Sequence, residues 1–289
     1  MDIIINTLEK YIKKTEVNKS SYWKESLKDR NYKDIYSELG FGSFTQITFF
    51  KSILHFILSR ICYSNFIFKT QYFYKVKNIF LKINRQIDND SIRHLFTFDL
   101  IKKIKFQNAA VIGDGKANFL LQFLIIFPEK KVYSINLAET LIHDYLILKK
   151  HKIINTNLIK VVQKKEDLEG NYKVYLIPSN NKNILIKKKI DIFINIDSFQ
   201  EMNNKEIRKY FKIIKSQKSF LYHCNREYKR LPCGEEIIFK NYPYENKFSK
   251  FKECPWEKRY YSFTYPYIHK YDGKHLHTLI DFKNKIKII

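Results

Sequence analysis

Glycine, cysteine and acidic side chains are all in short supply here, and each shortage narrows the reading. Four cysteines, Cys62, Cys224, Cys233 and Cys254, are too few and too irregularly spaced for a disulfide framework or a zinc knuckle, so a reducing, cytoplasmic setting is expected. No stretch approaches the roughly 18 apolar residues that a membrane-spanning helix needs. The longest clear run is Phe119 to Phe127, and the aromatic patch from Phe49 to Leu58 is broken by Lys51 and His55. The expectation is a soluble protein, peripheral to a membrane at most. Residues Met1 to Asn6 carry no basic segment, so no secretory signal is expected. Among seven glycines there is neither a Gly-x-x-x-x-Gly-Lys-Ser/Thr loop nor a Gly-x-Ser-x-Gly elbow, which argues against a P-loop NTPase and an α/β-hydrolase.

Acids number 29 against 53 Lys and Arg, a net charge of +24. Such a balance suits polyanionic partners. The lysines, however, are scattered through every segment and accompanied by abundant Ile, Asn, Phe and Tyr, the pattern of an AT-rich coding sequence. With 45% hydrophobic and 16% aromatic residues, the 289-residue chain has ample material for a packed core.

Two kinds of periodicity divide the chain. Over residues 1–105, helical spacing dominates: Ile4, Leu8 and Ile12, then an apolar stretch from Thr45 to Tyr63, then Tyr72, Val76, Ile79, Phe80 and Ile83. A further helix is predicted to start at Asn89-Asp90-Ser91, whose side chains suit its free amides. The loop Leu39-Gly40-Phe41-Gly42-Ser43 separates the first helical portion from the second. This half reads as a helical N-terminal cap, or equally as flanking helices of the main domain. Over residues 106–289, strands alternate with helices: Asn108–Ile112, Lys131–Ile135, Tyr172–Ile177, Ile190–Ile196 and Ser219–His223, with a helix over Asn203–Lys215. That alternation predicts an α/β fold with a doubly wound, Rossmann-like parallel sheet. Asp272-Gly273 predicts a hairpin over Tyr267–Phe282.

Candidate function concentrates at two strand ends. Val111-Ile112-Gly113-Asp114-Gly115-Lys116-Ala117 carries an apolar strand into a Gly-x-Gly turn and a helix, where backbone can approach a ligand and the helix N-terminus favours polar or anionic groups. Asn195-Ile196-Asp197-Ser198-Phe199-Gln200-Glu201-Met202 releases polar side chains where an open α/β sheet keeps its crevice. Asp197-Ser198 equally suits a helix cap. His275 and His277 share a strand face with no carboxylate nearby except Asp272, so no metal site is expected. Pro255-Trp256 with Arg259, Tyr260 and Tyr261 would suit an aromatic-basic wall for a carbohydrate, or ordinary core.

These elements, with Tyr133-Ser134-Ile135-Asn136-Leu137-Ala138-Glu139-Thr140-Leu141 and Tyr222-His223-Cys224-Asn225-Arg226, resemble class I S-adenosylmethionine-dependent methyltransferases, and within them the sugar O-methyltransferases, over roughly residues 90–260. The resemblance implies a cofactor held by Gly113, Asp114, Gly115, Asn136, Asn195, Asp197 and Ser198. It also implies an acceptor base in Glu201 or His223, with Asp197 positioning acceptor or cofactor. Three positions depart from the family pattern. The acid two residues before the first glycine is Val111, the third glycine is Ala117, and the ribose-binding acid is Asn136, which keeps hydrogen bonds without charge. Asn241-Tyr242-Pro243-Tyr244 lacks the first proline of the Asn/Asp-Pro-Pro-Tyr element and follows the wrong strand, which disfavours nucleobase N-methylation. The implied activity is O-methylation of a carbohydrate or nucleotide-sugar acceptor in polysaccharide assembly. The alternatives are an RNA-directed methyltransferase, favoured by charge alone, and a catalytically degenerate binding or scaffold protein.

Overall fold

The strand sequences are short and almost wholly apolar, which suits strands covered on both faces. In the computed structural model, which describes residues 2–28, 49–67, 70–83, 85, 87–115, 117–245 and 250–289, they form one nine-stranded sheet. In chain order come α1 (Ile3–Thr15), α2 (Ser21–Leu27), α3 (Phe49–Ile67), α4 (Phe73–Lys82), α5 (Asn89–Ile101), β1 (Asn108–Ile112), α6 (Asn118–Ile126), β2 (Lys131–Asn136) and α7 (Ala138–His151). Next are β3 (Ile159–Val161), β4 (Val174–Pro178), β5 (Ile192–Ile196), α8 (Asn204–Gln217) and β6 (Phe220–Arg226). The remainder is strands: β7 (Tyr228–Arg230), β8 (Glu236–Ile238), β9 (Lys252–Glu253), β10 (Arg259–Tyr261), β11 (Ile268–Lys270), β12 (His275–Asp281) and β13 (Ile286–Lys287). The predicted loop 39–43, the start of the predicted 45–63 stretch and Lys116 of the glycine turn lie outside the described residues.

Sheet order is β13-β12-β6-β5-β1-β2-β4-β3, with β9 added on β12. Strands β3, β4, β2, β1, β5 and β6 run parallel, and β12 is antiparallel to β6. Because the chain moves from β1 to β2 on one side and later returns to β5 on the other, the order reverses at β1, and a crevice opens at the carboxyl ends of β1 and β5. The fold is the doubly wound, Rossmann-like α/β architecture that the alternation of strands and helices predicts.

The period of two along each strand sorts the core into two layers. Ala109, Val111, Val132, Leu176 and Ile194 face the layer built with α4, α5, α6 and α7. Ala110, Ile112, Tyr133, Ile177 and Phe193 face the layer built with α8. Helix α6 is buried on every side, as an apolar-all-round helix must be. Leu8 of α1, Leu58 and Tyr63 of α3, and Val76 and Phe80 of α4 belong to the first layer's core together with sheet residues. The change of pattern near residue 105 marks a switch from helices to strands, and helices on its N-terminal side share a hydrophobic cluster with sheet residues.

Two local expectations need correction. The cap of α5 is Asp88, one residue ahead of the predicted set: its Oδ1 accepts from the Ser91 amide and hydroxyl, both at 2.7 Å, and from Asn118 Nδ2 at 3.2 Å. And no hairpin forms around Asp272-Gly273, because β11 pairs with β10 while β12 pairs with β6; Gly273 (φ +83°) turns the chain between two different sheets. Since Asp88 joins α5 to α6 from a fully buried position, Asp88→Ala is expected to cost about 1–3 kcal/mol. The check is the denaturant midpoint, falling with unchanged slope; an unmoved midpoint would show that the cap is idle.

Candidate functional site

A cavity of about 370 Å³ opens at the reversal point, within the size range of small-molecule sites. One wall is the end of β1, Val111 to Gly115, with Asn136 at the end of β2. A second is the chain leaving β5, from Ile196 to Glu201. A third comes from α5, through Asp90, Arg93 and His94, and Tyr260, Tyr271 and His275 close the far side. Trp23 of α2 lines the cavity as well and, with Asn136 and Ser198, also lines a smaller void of about 30 Å³ beside Ser179 and Met202.

The turn after β1 requires glycine at 113, where φ is +75° and an added Cβ would sit 1.9 Å from Ser198 Oγ. The close approach that glycine permits is thus made by Ser198, which locks the β1 turn to the β5 turn. The N-terminus of α6 also departs from expectation. Its amides are already satisfied by carboxylates: Phe119 and Leu120 donate to Asp114 at 3.1 and 2.7 Å, and Ala117 donates to Asp144 at 2.7 Å. Burial pushes both carboxyls up, Asp144 further by proximity to Asp114. This helix end offers no open anion seat, and Asp114, although on the cavity wall, spends its carboxylate on capping.

Asn136 donates to the Asp114 carbonyl at 2.6 Å and accepts from the Leu137 amide at 2.9 Å, which leaves one N–H and one lone pair for a ligand. Asn195 does not reach the cavity. Fully buried, it donates to the Ile112 carbonyl (2.9 Å) and accepts from the Phe199 amide (3.1 Å) and Asn225 (3.0 Å), pinning the ends of β1, β5 and β6 together. Its expected ligand role gives way to this structural one.

Asp197 does not cap a helix. It stands in the left-handed region (φ +57°), which Asp tolerates better than most residues. Its Oδ2 meets Arg93 Nη1 at 2.6 Å and its Oδ1 lies 3.3 Å from His275 Nε2. The same Nη1 reaches Glu257 Oε2 at 2.8 Å, and Nη2 bonds Asp90. Burial disfavours the Asp197 anion, yet Arg93 and His275 outweigh it and hold the carboxyl below its usual range. Glu201, four residues on, moves the other way: burial pushes it up to about 7, against the pull of Lys229 3.4 Å away.

His223 is placed elsewhere. Strand β6 turns it into the second core layer, fully buried, stacked on Phe239 (4.7 Å) and Tyr244 (5.7 Å), with Nε2 bonded to the Tyr244 hydroxyl at 2.9 Å. Burial pushes its pKa down to about 3, so it is a neutral core residue and not a base at the cavity. The other histidines also part ways: His269 stacks on Tyr260 (4.9 Å), His277 packs on Trp256 (5.4 Å), and His275 alone of the three lines the cavity. Of the supposed aromatic wall, Trp256 and Tyr261 are core and only Tyr260 faces the cavity.

Arg93, Trp23, Tyr271 and Glu257 escaped the reading of the sequence. The Asp90–Arg93 spacing of three on a helix was the one available signal; Glu257 and Trp23 had none, since chain reversal brings them in. Methionine at Arg93 would leave carboxylates on three elements unpaired, so Arg93→Met is expected to cost about 3–5 kcal/mol at neutral pH. Arg93→Lys should restore only part, because an ammonium does not span the fork. Equal thermal midpoints for Arg93→Met and the unsubstituted protein would refute this.

No protein-family model matches the chain, and no curated protein matches it. Solved structures with a similar arrangement include a Nostoc punctiforme protein assigned as an O-methyltransferase (8% identity, 60% of this chain, 53% of that one, TM-score 0.35). Two others are the SAH-bound Podospora anserina methyltransferase PaMTH1 (13%, 62% and 73%, TM-score 0.36) and the methyltransferase domain of bacterial CtHen1 (10%, 66% and 98%, TM-score 0.38). This chain spans about half the length of the Nostoc protein. The likeness is one of general architecture and goes no further.

Proposed function

We propose that this protein is an S-adenosylmethionine-dependent methyltransferase that acts on a hydroxyl group. The observation that carries the reading is the helix N-terminus after the glycine turn, which carboxyl groups of the chain already occupy. A dinucleotide needs an open helix N-terminus for its pyrophosphate, and here Asp114 and Asp144 fill that position. The cavity walls add the carboxyl groups of Asp90, Asp197 and Glu201, of which Asp197 is held as the anion beside Arg93 while burial pushes Asp90 and Glu201 up to about 7. Such a site suits a ligand without phosphate that bears a positive centre, and a sulfonium nucleoside has both properties. Gly113, Gly115 and Ser198 would border it, and Asn136, with one donor and one acceptor to spare, would take its hydroxyls.

When bound, the sulfonium supplies the methyl group and departs as a thioether. The chain's own task is to orient an acceptor oxygen in line and remove its proton. Two carboxylates with opposite shifts divide that work. Asp197 stays ionised beside Arg93 and holds position; Glu201, brought up to about 7 by burial, is suited to accept the acceptor's proton. A sugar hydroxyl as acceptor, and a place in polysaccharide assembly, rest on the resemblance over residues 90–260.

Calorimetric titration with S-adenosylhomocysteine is expected to show one site of micromolar affinity, weakened about tenfold by Asn136→Ala through the loss of a charge-free hydrogen-bonding pair. No binding at all would overturn the cofactor and favour a degenerate scaffold. With an acceptor in hand, kcat should rise with pH and level off above about 7 as Glu201 loses its proton. Glu201→Gln should remove that limb and lower kcat by about 10²–10⁴, whereas His223→Phe should leave the limb in place. A pH limb that survives Glu201→Gln would assign the base elsewhere.

A further inference from the structure

At the acceptor end of the cavity, Arg93 holds two carboxylates by one oxygen each. Its Nη1 lies 2.6 Å from Asp197 Oδ2 and 2.8 Å from Glu257 Oε2. The other oxygens, Asp197 Oδ1 and Glu257 Oε1, and His275 Nδ1 are buried and make no hydrogen bond, Oδ1 lying 3.3 Å from His275 Nε2. Glu257 is 1% exposed and His275 2% exposed, so Glu257 Oε1 and His275 Nδ1 are taken out of water without a partner of their own, a costly arrangement unless something binds them. One ligand atom from each of Asp197, Glu257 and His275 lies within 4.8 Å of the others.

We propose that Asp197, Glu257 and His275 form a divalent-cation site. Two lines of chemistry meet in it. Ligating carboxylates are commonly fixed by a hydrogen bond on the oxygen that does not face the metal, and Arg93 makes that contact on both. One imidazole with two carboxylates is a mixed donor set suited to a first-row divalent ion such as Mn²⁺ or Zn²⁺ and poorly matched to soft ions. Three protein ligands leave open positions. Asp197 and His275 line the cavity, so those positions face the space where an acceptor oxygen would lie. The site stands on the side chains alone; its use in presenting an acceptor hydroxyl rests on the methyl-transfer reading.

The test is titration of the full chain with Mn²⁺, followed by calorimetry and by the broadening of histidine imidazole resonances. The expected result is one Mn²⁺ per chain, with the His275 signals broadened first. His275→Gln and Glu257→Gln should each weaken binding at least tenfold, and Asp272→Asn, an exposed acid near His275 in sequence, should bind as the unsubstituted chain does. Lack of a saturable site, binding unaffected by His275→Gln, or broadening that spares His275 would overturn the proposal. The broadening experiment needs no variant and so stands even if Glu257→Gln fails to fold. Titration with S-adenosylhomocysteine on the same samples separates the two readings: Mn²⁺ binding without cofactor binding would keep the metal site and remove the methyl-transfer role.

Discussion

The guanidinium of Arg93 holds the β5 side of the crevice together. It rises from α5, yet its partners are Asp90 on its own helix, Asp197 at the end of β5 and Glu257 in the segment leading to β10. Buried carboxylates are expensive to hold, and each is tolerable only while the shared cation satisfies it. The helices before the sheet and the strands after it are thereby tied to the strand at the switch point. The left-handed turn at Asp197 belongs to the same arrangement, since it is the conformation in which that side chain reaches both Arg93 and His275. Strain of this kind persists where surrounding contacts over-determine it.

The opposite wall is built on a different economy of charge. At the β1 turn, carboxylates fill a helix N-terminus that in many doubly wound folds receives a phosphate. Asp114 comes from the turn and Asp144 from α7, so the anion is supplied by the protein itself. Carboxyl groups therefore line both walls of the crevice although the whole chain carries +24. Net charge describes how a protein associates over its surface; the sign of a pocket is set by the few groups that line it. Lysine-rich composition gave no hint of a cleft lined by carboxyl groups.

Much of the architecture was legible in the chain. The apolar strands Asn108–Ile112 and Ile192–Ile196 alternate with helical segments, and buried parallel strands have no other common reading. Strand β3, only three residues long, was missed because so short a run carries no periodicity. The Asp-Gly turn misled because its flanking runs are strands that pair with other partners, and pairing is a matter of distance in space. The glycine turn and the Asp197–Glu201 segment were recognisable as wall material, since both follow strands at the point of reversal. Which of their side chains face the cavity was not: Asn195 and His223 lie on neighbouring strands, and the pleat sends both into the interior, where Asn195 meets three hydrogen-bond partners and His223 meets rings.

Sequence by itself determined the alternation of buried strands and helices, the glycine turn after the first strand, and the clustering of polar side chains after β5, because these follow from local periodicity and residue type. Only the tertiary structure decided that Arg93, Glu257 and His275, separated by up to 182 positions (275 − 93) in the chain, share one cluster. It alone also decided that Asp144 caps α6 beside Asp114 and that Glu201 and Asp197 are driven apart in acidity. Those outcomes depend on burial and on the charges that folding brings within a few ångströms, and neither is encoded in spacing along the chain.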